Sequence, residues 1–111
     1  MKSYRNSGNA VQQTDDGGYI IAGTTWILGG MYSNVLLIKT DAKGNQVWNR
    51  TFVRYEFNCG YSVRQTIDNG YIIVGKTASY SVMGKCEVYL LKSNADGYKI
   101  WSKILRLRNV Q

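Results

Sequence analysis

Apolar and polar positions along the chain sort into eight short runs, separated by turns rich in Asp, Asn and Gly. In the first half the runs are Ala10–Thr14, Tyr19–Thr24, Val35–Thr40 and Gln46–Phe52. In the second they are Tyr61–Thr66, Tyr71–Lys76, Val88–Ser93 and Lys99–Leu105. Each run has the length of a strand and none shows a 3.6-residue apolar stripe, so the pattern predicts an all-β chain and excludes helical repeats. The second and third runs of each half are almost continuously apolar, whereas a strand with one wet face alternates. Such strands must be covered on both faces, which a lone hairpin cannot do. The turns Asp15-Asp16-Gly17-Gly18 and Asp41-Ala42-Lys43-Gly44-Asn45 have counterparts in Asp68-Asn69-Gly70 and Asn94-Ala95-Asp96-Gly97-Tyr98. These residues tolerate the positive φ that tight hairpins require.

The two halves are copies of one unit. Gly8 to Thr25 aligns with Gly60 to Thr77 at an offset of 52, with 11 of 18 positions identical. Asn34 to Phe52 aligns with Glu87 to Leu105 at an offset of 53, with 6 of 19 identical, among them Lys39/Lys92, Gly44/Gly97 and Trp48/Trp101. A repeat of this length holding four strands is the pattern of a propeller blade, in which each sheet packs between similar sheets. The chain is therefore expected to be one propeller-type domain, residues 1–111, of two four-stranded antiparallel blades, at about 8–53 and 60–107. A small sandwich of two four-stranded sheets is the structural rival. Propellers close with about four to eight blades. Two blades alone would leave Tyr19, Ile21, Ile72 and their neighbours facing water, so the ring is expected to be completed by homo-oligomerisation, the alternative being that the chain is a fragment of a longer propeller. A dimer, trimer or tetramer would give four, six or eight blades.

Composition adds little to this fold but bears on partners. Lys and Arg number 14 against 7 Asp and Glu, a net charge of +7. No dense basic run appears, so solubility and guarded sheet edges account for the excess better than an anionic partner does. The rival is binding of nucleic acid or another acidic polymer through Arg54, Arg64, Arg106 and Arg108. No apolar stretch approaches the roughly 20 residues of a transmembrane helix. Met1 to Asn6 lacks the apolar core of a signal peptide, so the chain is read as cytoplasmic or as having lost its leader.

The segment Asp16-Gly17-Gly18-Tyr19-Ile20-Ile21-Ala22-Gly23, followed by Leu37-Ile38-Lys39-Thr40-Asp41-Ala42-Lys43-Gly44-Asn45-Gln46-Val47-Trp48, resembles propeller repeats of bacterial and archaeal cell-surface proteins and lipoproteins. Asp41 to Trp48 is also similar to the hairpin of quinoprotein-type repeats, where a tryptophan on the fourth strand packs between blades. The resemblance implies a propeller, a cell-surface or extracellular setting, and blade-packing roles for Trp48 and Trp101. Tyr19 and Tyr71, at matching repeat positions, are read the same way. Rings of six blades from two-blade subunits resemble a class of small lectins, which favours a trimer.

In the usual blade path, the long connections converge on one end of the ring and the tight turns on the other. The first end would carry Trp26, Met31, Tyr32, Arg54, Tyr55, Phe57, Tyr80 and Met83. Aromatic rings beside polar groups suit sugars, whose apolar C–H patches stack on them. The ligand-binding candidates are therefore Trp26, Tyr32, Arg54, Tyr55, Phe57 and Tyr80, with a glycan as ligand. Packing of loops or of subunit contacts is the plainer alternative.

Catalysis finds no visible machinery. The chain has no His, and its few acids mostly occupy turns. No phosphate-binding loop precedes a helix. The spacing of Asp15, Asp16 and Asp41 lacks the ligand density of a calcium loop, and two cysteines without His do not suggest zinc. Neither a cofactor nor a metal is expected. Cys59 and Cys86 occupy non-equivalent repeat positions, and whether they pair is left open. The reading is a non-enzymatic oligomeric binding scaffold, with a purely structural unit as a further alternative.

Overall fold

The structure is a computed structural model, and it describes residues 4–27, 29, 32–79 and 85–107. The protein is all-β: eight strands lie in one open sheet, with no helix among the described residues. The strands are β1 (Tyr4–Gln13), β2 (Tyr19–Ile27), β3 (Ser33–Thr40), β4 (Gln46–Phe52), β5 (Phe57–Gln65), β6 (Tyr71–Ala78), β7 (Cys86–Ser93) and β8 (Lys99–Leu105). β1 to β4 form one antiparallel meander and β5 to β8 a second. One parallel bridge, Ser33 to Phe57, joins them.

Six of the strands extend beyond the runs predicted from sequence, all toward the end where the long connections lie. β1 begins at Tyr4 rather than Ala10 and β5 at Phe57 rather than Tyr61. The cause is local. Register shifts at Gly8/Ala10 and Gly60/Ser62 interrupt the two-residue period, so polar residues before each bulge look like loop in the sequence. Trp26 and Phe57, assigned above to loops, instead occupy strand ends.

Each unit has two faces. The front carries Ile20, Ala22, Val35 and Leu37 in the first unit and Ile72, Val74, Val88 and Leu90 in the second. The back carries Tyr19, Ile21, Leu36 and Ile38 in the first and Tyr71, Ile73, Tyr89 and Leu91 in the second. The core is the front of the first unit laid on the back of the second. Ile20, Ala22, Val35, Leu37 and Phe52 meet Val63, Tyr71, Ile73, Tyr89 and Leu91 there. β5 runs along β1, β2 and β3 at this junction.

Close approach requires small residues. A Cβ on Gly60 would lie 2.9 Å from the Gly23 carbonyl oxygen and 3.1 Å from Val35 Cγ1, so a side chain there would push β5 off the first unit. The four tight turns share one end of the molecule. Gly17, Gly44 and Gly97 adopt positive φ, and Asn69 takes the same conformation, φ 65°, where the first unit has Gly17.

Candidate functional site

The junction between the units is the most densely specified region. Trp48 of β4 meets Tyr71 of β6 edge-on, with ring centroids 6.1 Å apart. The Arg50 guanidinium lies 4.8 Å from the Trp48 ring and 4.3 Å from the Tyr98 ring. Its Nε also donates to the Asp96 carbonyl at 3.1 Å. A Cβ on Gly97 would strike the Trp48 ring. The turn Asp96-Gly97-Tyr98 is thus seated on the Trp48–Arg50 pair. Further along, Asn9 Nδ2 donates to the Gly60 carbonyl at 2.7 Å. Gln65 N donates to Gln12 Oε1 at 2.7 Å, and Asp15 N donates to Gln65 Oε1 at 2.9 Å. Burial raises the Tyr71 hydroxyl above its ordinary pKa, with Asp16, Asp15 and Asp96 adding to the effect.

Asn58, fully buried, clasps the connection that crosses from the first unit to the second. Its Nδ2 donates to the carbonyls of Ser33 at 2.9 Å, Arg54 at 2.6 Å and Glu56 at 3.2 Å. Its backbone N–H donates to Ser33 Oγ at 2.9 Å, and Ser33 Oγ donates back to the Asn58 carbonyl.

At the turn end a cleft of about 400 Å³ opens between the units, lined by Asp15, Asp16, Lys39, Asp41, Trp48 and Tyr71 among others. Two of its acids, Asp16 and Asp41, are committed to structure. Asp16 accepts hydrogen bonds from Thr14 Oγ1 at 2.5 Å, Gly18 N at 2.9 Å and Lys39 Nζ at 3.0 Å. These partners, Thr14 first, hold its carboxyl well below the usual range. Asp41 accepts from the backbone N–H groups of Lys43 and Asn45, both at 2.9 Å, and its pKa too is lowered. The second unit repeats the Asp16 arrangement with Thr66, Asp68, Gly70 and Lys92, which lowers Asp68 to about 2. Among the described residues no group of three or more His, Cys, Asp or Glu could hold a metal ion.

At the loop end Tyr32 and Tyr55 meet edge-to-face at 5.5 Å. Tyr55 is 72% exposed, and Phe57 and Tyr32 are each 37% exposed. Trp26 is half-buried on β2. Tyr80, Met31 and Met83 lie outside the described residues. Arg54 is tied into the junction: its Nε donates to Thr77 Oγ1 at 3.2 Å, and its guanidinium lies 5.9 Å from the Tyr89 ring. A second cleft, about 220 Å³, is lined by Arg54, Glu56, Lys85, Glu87 and Arg106 among others. Arg64 pairs with Ile72 near the opposite end, and Arg108 is outside the described residues. The basic candidates that are described therefore split between two ends, with acids interleaved at one of them.

Of the four residues assigned to packing between blades, Trp48 and Tyr71 meet across the junction. Tyr19 and Trp101 lie on the two outer faces, Tyr19 half-buried and Trp101 38% exposed beside Lys103 at 5.9 Å. Cys59 and Cys86 are free thiols. Among the described residues no helix is long and apolar enough to cross a membrane.

Sequence reasoning missed Arg50, Gln12, Gln65 and Asn58. The signal for Asn58 was present: Asn6 stands 52 residues before it, the spacing at which Gly8 repeats Gly60. No protein-family model matches the chain, and no curated protein matches it in sequence.

Proposed function

We propose that the chain is the two-blade subunit of a closed β-propeller ring, a non-enzymatic scaffold that presents its aromatic loop end to a glycan. One observation carries the ring. Several repeat positions that are buried where the two units meet are exposed on the faces where they do not, although Leu36 on the open back is itself 9% exposed. Val63 is 5% exposed and its counterpart Val11 is 65%. Val35 is 1% exposed and Val88 is 38%; Phe52 is 8% and Leu105 is 41%.

The arrangement also argues against the sandwich. Two copies of one sheet closing on each other as a symmetric pair would use the same face. Here the front of one unit packs on the back of the next, leaving a second front and a second back open. That relation continues by adding further units, and ends only when the ring closes. Each large aliphatic side chain so covered contributes about 1.5–3 kcal/mol. A trimer, six blades, is the favoured assembly.

The ligand reading rests on the Tyr32–Tyr55 pair, whose edge-to-face geometry leaves Tyr55 open to solvent. An exposed phenol ring offers a stacking platform with a hydrogen-bonding tip. Glycan-array binding by the wild-type protein, lost at least tenfold in Tyr55→Ala with an unchanged solution mass, is the expected result. No array binding, or binding indifferent to Tyr55→Ala, would remove the glycan assignment and leave the ring standing.

A further inference from the structure

We infer that the partner for the open front of the second unit is the open back of the first unit of another copy, in the register of the internal junction. This rests on the ring reading above and adds its contacts.

The internal junction serves as a template because the repeat offsets map it residue by residue. Trp48 maps to Trp101, Arg50 to Lys103, Val35 to Val88 and Phe52 to Leu105 on the front of the second unit. Val63 maps to Val11, Tyr71 to Tyr19, Gly97 to Gly44 and Tyr98 to Asn45 on the back of the first. Trp101 of one copy therefore receives the Gly44 turn and the Tyr19 ring of the next, as Trp48 receives Gly97 and Tyr71 within the chain. Steric fit supports the register. The close approach that Gly60 allows over Gly23 becomes Gly8 over Gly75, and all four positions are glycine.

Asn6 maps to Asn58, and Ser33, its partner, maps to Cys86. Asn58 is buried, whereas Asn6 and Cys86 are exposed in the single chain. In the assembly Asn6 takes the clasp position against the Cys86 carbonyl of the neighbouring copy.

The closing junction is chemically the lighter of the two. Its Lys103–Asn45 pair replaces the Arg50–Tyr98 stack, so it loses one cation–π contact. The apolar positions are kept. Association between copies therefore depends on concentration, while the internal junction is secured by the chain.

Two single variants test the register. Val11→Glu places a charge on the open back and Trp101→Glu places one on the open front, both at sites exposed in the single chain. Circular dichroism reports whether each variant keeps its strands. At concentrations where wild type is fully assembled, each variant alone is expected at one chain mass. An equimolar mixture is expected to form a one-to-one heterodimer and nothing larger, because each chain retains one good face of opposite kind. Wild-type mass for either variant would overturn the register, as would a homodimer of either alone or a mixture that stays monomeric. A wild-type protein that is itself monomeric sinks the ring reading instead, so the two failures are separable.

Discussion

At the residue scale, the most repeated device is a threonine, an aspartate and a lysine locked at the base of each unit. Asp16 joins Thr14 to Lys39, and Asp68 joins Thr66 to Lys92. Lys39 and Lys92 also donate to the carbonyls of Thr40 and Ser93, so each lysine ties the first hairpin of its unit to the third strand. Both aspartates are held ionised, so their contribution is present above the unfolded-state pKa and fades as pH falls through the folded one. For Asp68 that window runs from its ordinary 3.8 down to about 2. Asp16 releases its share at still more acidic pH. Thermal melts of wild type and Asp68→Asn are expected to differ near neutrality and to converge as pH drops from about 4 to 2. A difference that stayed constant across that range would show that the aspartate acts through something other than its charge. Gly23 supplies a second test. A Cβ there would collide with the Ser7 carbonyl, and Gly23→Ala is expected to cost about 1–3 kcal/mol in chemical unfolding.

At the element scale, the contrast lies between strands of identical pattern and different surroundings. Val63 on β5 and Val11 on β1 occupy one repeat position, yet only Val63 is covered within the chain. Val63→Ala is expected to destabilise the single chain by about 2 kcal/mol, and Val11→Ala to leave it nearly unchanged while weakening association. Chemical unfolding of dilute samples, paired with solution mass at high concentration, separates the two effects. The eight strands were legible because β2, β3, β6 and β7 are apolar on both faces and the turns between hairpins carry Asp, Asn and Gly. The early parts of β1 and β5 were not. Asn6-Ser7 and Asn58-Cys59, which show no apolar alternation, precede a bulge, and pairing across to β2 and β6 decides their state where pattern does not. The aromatic loop residues were found by composition, but only geometry shows that Arg54 serves the junction while Tyr55 faces solvent. Arg50 gave no signal, because a basic residue on an outer strand reads as solubility until Tyr98 is seen beneath it.

At the scale of the whole molecule, a ring built from such chains has two kinds of junction in alternation. The cleft at the turn end of the internal junction carries Asp15, Asp16 and Asp41. The mapped positions in the second unit are Ile67, Asp68 and Asn94, so the proposed junction between copies would have one carboxylate where the internal one has three. The proposed ring would therefore repeat by chain and not by blade. The open front and back of the chain hold Trp101, Val88, Leu105 and Val11, surface that, on the proposed reading, another copy covers in the same manner as the internal junction. If folding draws on that cover, stability must follow mass action. The most direct test is the thermal midpoint over a hundredfold range of protein concentration. A midpoint that climbs with concentration is predicted, alongside a mass at a whole-number multiple of 12.6 kDa, three being favoured. A midpoint that does not move, in a chain that remains a folded 12.6 kDa monomer throughout, would contradict the account.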